Sequence, residues 1–294
     1  MTEMPVDIEE RSILSHEMRH STLFQDISIE LLPEQVDAFL PKAKCFPENS
    51  LVFLTHIPGK PISAQAEAAK KIHNKGFVPV PHLAARNFTS ADEYAGHLRT
   101  LASIGVTTVL VLGGNPSSGT PPLRFAADLL RHPVLNDVQL KKVFIAGHPE
   151  GHSVIPKDAL IPALKEKISL VREWGAQPEI VTQFAFNGEA MAAWAAELRT
   201  QDINAPLRFG MAGVTSLPKL IKFAAMCGVG ASLNALKRQG TSLIKAMRDQ
   251  DPGDIIAELD SSLSQRGIKD VTLHFFPFGG WEKTLKWIDM QSTE

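Results

Sequence analysis

The sequence predicts an α/β protein built as a (β/α)8 TIM barrel, and two observations carry this prediction. Eight short apolar, β-branched segments alternate with helical patterns, and several of these segments end in a residue able to do chemistry. Alternation of strand and helix favours parallel pairing of the strands. Because the active site of such a barrel lies at the carboxyl ends of its strands, the candidate residues stand at the predicted ends: Glu30, Thr55, His82, Asn115, His148, His152 and Gln183.

The predicted elements follow one another in chain order. Strands are predicted at residues 26–33, 51–58, 77–86, 107–115, 142–150, 179–186, 206–213 and 270–278. Helices are predicted at residues 63–75, 91–103, 121–130, 158–174, 189–200 and 217–226, and a last one at 281–290 closes the barrel. Gly76, Gly105 and Gly175 stand where helices should end, because a left-handed C-terminal cap prefers glycine.

One domain accounts for the chain, since 294 residues with 44% hydrophobic content suffice for a barrel. Residues 1–25 are expected to form an N-terminal extension and residues 26–294 the catalytic barrel. The irregular part is 228–267, with short helices predicted at 232–237, 242–248 and 254–264. An ordinary connection needs few residues outside its helix. This stretch therefore predicts an extra helical excursion between strands seven and eight that covers a substrate or makes a subunit contact, as in a homodimer.

Composition and charge exclude several classes of protein. The net charge is −2 with acidic and basic residues mixed throughout, which argues against a nucleic-acid partner. No apolar run approaches the roughly 20 residues of a membrane span, and the first 25 residues lack the apolar core of a secretory signal. Cys45 and Cys227 have no CxxC spacing. We therefore expect a cytoplasmic protein without a membrane or nucleic-acid partner.

Glu30 is the candidate acid. Strand alternation places Ser28 and Glu30 on one face of the first strand and Ile29 and Leu31 on the other. If the aliphatic face packs on the helices, Glu30 points into the barrel. Lost hydration there raises the pKa of a carboxyl group and suits it to general acid chemistry near neutral pH. The alternative is a glutamate paired with a lysine at the barrel rim.

Two further strand ends carry groups suited to ligand contacts. Gly113 and Gly114 form a turn whose backbone can approach a planar ring or a phosphate, and the Asn115 amide both donates and accepts hydrogen bonds. The GxGxxG pattern of a dinucleotide fold is absent. The amide of Gln183 suits the edge of a heterocycle, and the alternative is a buried amide tied to neighbouring strands.

His148 and His152 raise the question of a metal site. Pro149 and Gly151 between them indicate a loop, so the histidines are not aligned on one helix face. No HExxH motif and no further histidine or cysteine pair completes a ligand set. We therefore favour hydrogen bonding of these imidazoles to a cofactor or substrate, with no metal.

Several segments occur in one order at the predicted strand ends and together match a known pattern. They are ISIELLP at 27–33, PHL at 81–83, LGGN at 112–115, HPEGH at 148–152, VTQF at 181–184, GMAGV at 210–214 and LHFF at 273–276. From about Asp26 onward the chain resembles the methylenetetrahydrofolate reductases. The resemblance implies a barrel that interconverts 5,10-methylenetetrahydrofolate and 5-methyltetrahydrofolate by hydride transfer from NAD(P)H, usually through FAD.

The resemblance also implies roles for single residues. Glu30 matches the acid that delivers a proton near N10 of the folate, and Gln183 matches the glutamine that binds the pterin. Asn115 is expected beside the pterin and the flavin. The other positions where the family contacts the flavin are Thr55, His82, Gly113, Gly114, His148 and His152.

Three departures from the family pattern bear on function. Gly113 and Asn115 stand where the family commonly has the arginine and the aspartate of a Leu-Arg-Gly-Asp segment. Leu217 stands where a phenylalanine often stacks on the aminobenzoyl ring of the substrate, which leaves apolar contact without stacking. The helix at 158–174 lacks the family's polar pattern toward the flavin, and the cations it offers to a phosphate are Lys165, Lys167 and Arg172.

These departures leave alternatives open. We favour FAD, and the alternative is direct hydride transfer from the nicotinamide to the folate. The neutral Asn115 is compatible with oxidation of 5-methyltetrahydrofolate in a demethylation pathway as well as with reduction. A third hypothesis is a folate-binding barrel without redox chemistry. No fingerprint in the sequence selects NADH or NADPH.

Overall fold

The computed structural model describes residues 21–115, 119–152, 154–227 and 249–292. Parallel strands form a closed barrel, in which each strand pairs with its neighbours in chain order and the last pairs with the first. The predicted (β/α)8 fold is thus confirmed. The barrel strands are β1 Ser28–Leu31, β2 Leu51–Leu54, β3 Val78–Ala84, β4 Thr108–Leu112, β5 Lys142–Gly147, β6 Gln177–Phe184, β7 Leu207–Ala212 and β8 Val271–Phe276.

Helices surround the barrel, and most lie within two residues of their predicted bounds. They are α1 Val36–Phe39, α2 Ile62–Asn74, α3 Ala91–Ile104, α4 Ala126–Leu130, α5 Lys157–Glu173, α6 Gly188–Thr200, α7 Leu217–Cys227, α8 Gly253–Gln265 and α9 Trp281–Ser292. Gly76, Gly105 and Gly175 follow helices with φ of 85°, 96° and 71°, as predicted for left-handed caps. No helix in the described ranges is long and apolar enough to cross a membrane.

Two connections differ from the prediction. Between β1 and β2, where no helix is predicted, α1 lies between the 3-10 turns Pro33–Gln35 and Leu40–Lys42. Between β4 and β5, the helix predicted at 121–130 is shortened to α4. The carboxylate of Asp128 accepts the backbone N–H groups of Arg124 and Phe125, which starts the helix after Phe125.

The insertion predicted at 228–267 is described in part. Its third predicted helix, at 254–264, is confirmed as α8. The predicted helices at 232–237 and 242–248 lie outside the described residues. Asp249–Gln250 pairs antiparallel with Thr215–Ser216, so the returning chain is fastened next to the start of α7.

Strand alternation divides the apolar side chains between two cores. Inside the barrel, Phe53, Val80, Leu110 and Phe144 pack together, and the ring centroids of Phe53 and Phe144 are 4.9 Å apart. On the outer face, residues such as Ile29 pack between the strands and the helices. Removal of this apolar surface from water is the main term that stabilises the fold.

A buried ion network fills the amino end of the barrel. Arg208 is fully buried and lies 2.9 Å from Glu179 and 2.7 Å from Asp26 (nitrogen to oxygen). The ammonium group of Lys142 lies 2.6 Å from the same Glu179. A cavity of about 720 Å³ borders this network. The opening at the other end of the barrel, at the carboxyl ends of the strands, is here called the mouth, and barrels of this fold have their active sites there.

Candidate active site

Glu30 lies in the mouth, near the carboxyl end of β1. Its neighbours Ile29 and Leu31 are buried in the outer core, so Glu30 faces the barrel interior as the alternation predicts. The Glu30 side chain is 22% exposed, and burial raises its pKa to about 7. At neutral pH a large fraction of Glu30 is therefore a carboxylic acid able to donate a proton.

His82, near the end of β3, faces this carboxyl group. Its Nε2 lies 3.5 Å from Oε2 of Glu30, and burial, aided by the charge of His56, lowers the pKa of His82 to about 3. The contact thus joins a neutral imidazole to a carboxyl group and is not an ion pair. Among the described residues no lysine lies within ion-pair distance of Glu30, so the alternative of a lysine pair at the rim is not supported.

Buried polar atoms that make no hydrogen bond to a described residue include Thr55 Oγ1, His148 Nδ1 and His82 Nε2, which has only the longer contact of 3.5 Å to Glu30. They follow or end β2, β3 and β5. An unpaired buried polar group costs about 1–3 kcal/mol, and buried polar groups in proteins are nearly always paired. The three atoms together indicate a ligand-binding surface. All three residues were predicted as cofactor contacts.

Gln65, in α2, fixes the ends of β2 and β3. Its Nε2 lies 3.0 Å from the carbonyl oxygen of Leu54 and 3.1 Å from those of Thr55 and His82. Its Oε1 lies 2.8 Å from Nε2 of buried His97. The sequence alone does not identify this residue. The one signal it offers is a polar side chain on the buried face of an amphipathic helix.

The turn after β4 is covered by an arginine. Gly114 has φ 80°, which favours glycine, and its carbonyl oxygen accepts a hydrogen bond of 2.6 Å from Nη1 of Arg86. Arg86 follows β3 and was not among the predicted site residues. Asn115 is exposed. The space above Gly113 is occupied by the Arg86 guanidinium, 3.2 Å from where a Cβ atom would lie.

The two loop histidines after β5 lie together. The rings of His148 and His152 meet edge to face with centroids 4.8 Å apart, and Nδ1 of His152 accepts the backbone N–H groups of Val154 and Ile155. Burial, with smaller contributions from His152 and Lys167, lowers the pKa of His148 to about 4. Both rings are thus neutral hydrogen-bonding groups at pH 7. The described residues contain no cluster of three or more metal-binding side chains.

Gln183 lies at an irregularity in β6, which interrupts the strand alternation. The register with β7 shifts between Val181 and Phe184, and the hydroxyl of Thr182 accepts the backbone N–H of Gly210 at 3.0 Å. Gln183 is half-buried, and its carbonyl oxygen accepts the Thr182 hydroxyl at 2.7 Å. The backbone of Gln183 is thereby fixed near the carboxyl end of β6, which lies at the mouth.

Leu217 begins α7 and is 8% exposed, so it is mostly buried. Aromatic surface on this side of the barrel comes instead from a cluster of partly or fully buried phenylalanines: Phe184, Phe186, Phe223, Phe276 and Phe278. Phe223 and Phe278 stack with centroids 4.1 Å apart and an interplanar angle of 15°. The sequence signal for this cluster is the spacing of two residues between phenylalanines at the ends of β6 and β8.

The structure therefore brings the predicted site residues together in two groups. Glu30, Thr55 and His82 are linked through the Glu30–His82 contact and through Gln65. The second group is the pair His148 and His152. The charge of Arg86, which lies over the glycine turn, helps to lower the pKa of His152. Among the described residues, no hydrogen bond, ion pair or ring contact joins Asn115, Gln183 or Leu217 to either group.

The fold and the mouth define a class of protein: a parallel (β/α)8 barrel that presents a protonatable carboxyl group from its first strand. Within this class, the chain belongs to the methylenetetrahydrofolate reductase family, since the model of that family matches residues 55–275. The resemblance seen in the sequence is thus confirmed.

Two proteins are similar to this chain, one in sequence and one in fold. Methylenetetrahydrofolate reductase 1 of Schizosaccharomyces pombe is 26% identical over 219 residues, which cover 70% of this chain and 34% of that protein. The chain thus spans about a third of the length of this relative. A solved structure of an uncharacterized protein from Clostridium thermocellum, described as binding two copies of 5-methyl-5,6,7,8-tetrahydrofolic acid, has a TM-score of 0.60 and 14% identity and covers 95% of this chain and 99% of its own. At this identity the likeness shows the fold alone.

Proposed function

We propose that the protein is a folate-dependent oxidoreductase that interconverts 5,10-methylenetetrahydrofolate and 5-methyltetrahydrofolate, with NAD(P)H as the source of hydride. The observation that carries the proposal is Glu30, a carboxyl group inside the mouth whose pKa is raised to about 7 by burial. Family membership supplies the reaction, and Glu30 supplies the proton donor that this reaction needs.

The proton is used to open the methylene bridge of the substrate. Glu30 donates it to N10, the bond between N10 and the methylene carbon breaks, and a cationic iminium remains at N5. A hydride ion, with its two electrons, then adds to that carbon to give the methyl group. After donation Glu30 is a carboxylate, which stabilises the nearby cation in a site shielded from water. This matters because Asn115 offers no negative charge.

The mouth fits the flavin that the family uses. The unpaired polar atoms of Thr55, His82 and His148 are donors and acceptors suited to a polar heterocycle, and His152 lies beside His148. Gly113, Gly114 and Asn115 complete the proposed contacts. Bound FAD would accept hydride from NAD(P)H and pass it to the folate. These residues would bind and orient the flavin, while Glu30 supplies the proton.

The remaining assignments concern the substrate and the assembly. We propose that Gln183 and Asn115 hydrogen-bond the pterin and that Leu217 contributes apolar contact to the aminobenzoyl part. The backbone of Gln183 is held at the β6 irregularity, which supports a defined placement of its amide. We also propose that the protein forms a homodimer through the insertion at 228–267 and that it is cytoplasmic.

Glu30→Gln tests the proposed role of the acid. The substitution keeps the shape and removes the proton, so folate turnover should fall by at least about a hundredfold, while reduction of bound flavin by NADH continues. Glu34→Gln is the matched control, because Glu34 is an exposed glutamate four residues further along the chain. Full folate turnover in Glu30→Gln would remove Glu30 from the mechanism.

An absorbance spectrum of the purified protein separates the flavin route from direct transfer. A yellow protein that bleaches with NADH and recovers its colour with methylenetetrahydrofolate supports the flavin route. A colourless protein that reduces methylenetetrahydrofolate with NADH supports direct transfer. Turnover measured from 5-methyltetrahydrofolate with added electron acceptors gives the preferred direction. Tight folate binding without turnover in either direction would refute the oxidoreductase proposal.

A further inference from the structure

Arg86 crosses from one strand end to the next. It lies in the 3-10 turn Ala85–Asn87 after β3, and its Nη1 donates to the carbonyl oxygen of Gly114 after β4. Its backbone N–H donates to the carbonyl oxygen of Gly113 at 3.1 Å. The half-buried side chain is therefore held across the glycine turn and does not extend freely into solvent.

The guanidinium group occupies the space that a side chain at Gly113 would need. A Cβ atom added to Gly113 would lie 3.2 Å from Nη1 of Arg86 and 3.6 Å from its Cζ. Gly114 has a positive φ, which favours glycine, whereas the φ of Gly113 lies outside this region. The backbone conformation of Gly113 does not require glycine, and a Cβ atom there would need the end of the Arg86 side chain to shift by a few tenths of an ångström.

The charge of Arg86 has no counter-charge in the part of the chain that the structure describes. No carboxylate there lies within ion-pair distance of it, and its described side-chain hydrogen bond goes to one neutral carbonyl. A guanidinium has five N–H donors in a fork that matches an oxyanion. The remaining donors are suited to a ligand.

The neighbours of Arg86 strengthen the positive potential. The charge of Arg86 acts with burial to lower the pKa of His152, and the charge of Lys167 helps to lower that of His148. The two cations Arg86 and Lys167, with the neutral imidazoles of His148 and His152 beside them, are here called the cationic side of the mouth. The electrostatic complement of such a surface is an anionic group.

We propose that Arg86 binds a phosphate group of the nucleotide cofactor at the cationic side, and that Gly113 is glycine to admit the Arg86 side chain. The inference rests on the proposed function, which requires a flavin or nicotinamide nucleotide. It also gives a structural reason for the missing side chain at position 113, since a cation reaches this point of the mouth from the neighbouring strand end.

Equilibrium titration with FAD, FMN and riboflavin tests the proposal, because riboflavin shares the ring and lacks the phosphate. Arg86→Ala should weaken binding of FAD and FMN by at least about tenfold and binding of riboflavin by less than about twofold. NADH is titrated in parallel. A loss for FAD and FMN assigns the phosphate to the flavin nucleotide, and a loss for NADH alone assigns it to the nicotinamide nucleotide; both support the proposal.

Two further variants make the test specific. Arg124→Ala is the matched control, because Arg124 is an exposed arginine next to the same Phe125 ring and should leave all affinities unchanged. The exchange variant Arg86→Ala/Gly113→Arg should recover most of the lost affinity, since the first change opens the space that the second fills. Arg86→Gln, which keeps a donor for the Gly114 carbonyl, replaces Arg86→Ala if that variant does not fold.

Equal weakening of riboflavin and FAD would show that Arg86 only shapes the loop, and unchanged affinities for all ligands would show that it binds none of them; either result overturns the proposal. These failures are distinct from failure of the proposed function. A wild-type protein that binds nucleotide and turns over folate, while Arg86→Ala binds nucleotide equally well, refutes the role of Arg86 alone. A wild-type protein that binds no nucleotide refutes both.

Discussion

The carboxyl group of Glu30 lies 3.5 Å from the imidazole of His82, and burial moves their pKa values in opposite directions, to about 7 and about 3. Between these two values the ionisable proton of the pair resides on Glu30. Burial therefore favours the neutral forms of both groups. A cationic His82 would instead stabilise the carboxylate form of Glu30 and lower its pKa. Near neutral pH, Glu30 is therefore protonated in a large fraction of the molecules.

The pH dependence of folate turnover should report this proton. Since the acid must be protonated, the rate should fall as the pH rises through about 7, the raised pKa of Glu30. His82→Gln replaces one neutral group by another and should leave this limb within about half a pH unit. The comparison is between the pH dependence of folate turnover in the wild type and in His82→Gln. If the midpoint of the decline in rate moved to higher pH by more than about one unit in His82→Gln, His82 would carry charge.

Gln65→Leu should destabilise the fold and loosen the mouth. The change removes the donor shared by three buried carbonyl oxygens and the partner of His97. The free energy of unfolding in urea should drop by about 2–3 kcal/mol, because each net hydrogen bond contributes about 1 kcal/mol and the unpaired groups stay buried. Gln265→Leu, at an exposed position in α8, is the control. Equal stability of the two variants would contradict the role assigned to Gln65.

Arg208→Leu should be much more harmful than loss of a surface pair. The buried Glu179 carboxylate would lose its fully buried cationic partner and keep only the partly exposed Lys142, and loss of one partner of a buried pair costs about 3–5 kcal/mol. Arg131→Leu breaks a solvent-exposed pair with Glu166, which should cost less than about 1 kcal/mol. Urea unfolding of both variants gives the comparison. Similar losses would contradict a structural role for the amino-end network.

Acid should destabilise the protein through its buried histidines. Burial lowers the pKa of His56, His97 and His148 to about 4 and that of His82 to about 3, from 6.5. Below pH 6.5 these histidines bind protons in the unfolded chain, whereas in the folded chain they stay neutral until the pH reaches their lowered pKa values. Each histidine therefore lowers the free energy of unfolding by up to about 1.4 kcal/mol for each pH unit that the pH falls.

One group acts in the opposite direction. The raised pKa of Glu30 means that the folded state binds its proton first, so this group favours folding as the pH falls from about 7 to 4.5. Four histidines outweigh it. Urea unfolding should therefore give a free energy lower by several kcal/mol at about pH 5 than at pH 7. Undiminished stability at the lower pH would contradict the burial of these imidazoles.

Strand alternation made much of the site predictable. The pattern from Ser28 to Leu31 placed Glu30 inside the barrel, and the structure shows the aliphatic neighbours in the outer core. The same logic placed Thr55, His82 and His148 at strand ends that face one opening, where their unpaired polar atoms lie. Glu30 could be placed because a strand has a period of two, and the other three residues because a parallel barrel collects the carboxyl ends of its strands. Their roles as cofactor contacts stay predictions.

What the sequence could not show depends on contacts between distant segments. Arg86 reaches Gly114, which is 28 residues away, and Gln65 reaches His97, 32 residues away. No local pattern marks either partner. The irregularity at Gln183 is also hidden, because it consists of a shift in the pairing of β6 with β7, which no pattern within β6 shows. Such features come from the packing of elements and not from any one of them.

Infrared difference spectroscopy of the protein across a pH titration tests the central claim most directly, since it observes the proton on Glu30 itself. A protonated carboxylic acid has a C=O stretch distinct from that of a carboxylate. The wild type should show this band disappearing with a midpoint near pH 7, the pKa that burial gives Glu30, and Glu30→Gln should lack it. If the band that Glu30→Gln lacks disappears near the ordinary glutamate pKa, or if the band with a midpoint near pH 7 persists in Glu30→Gln, the account is contradicted.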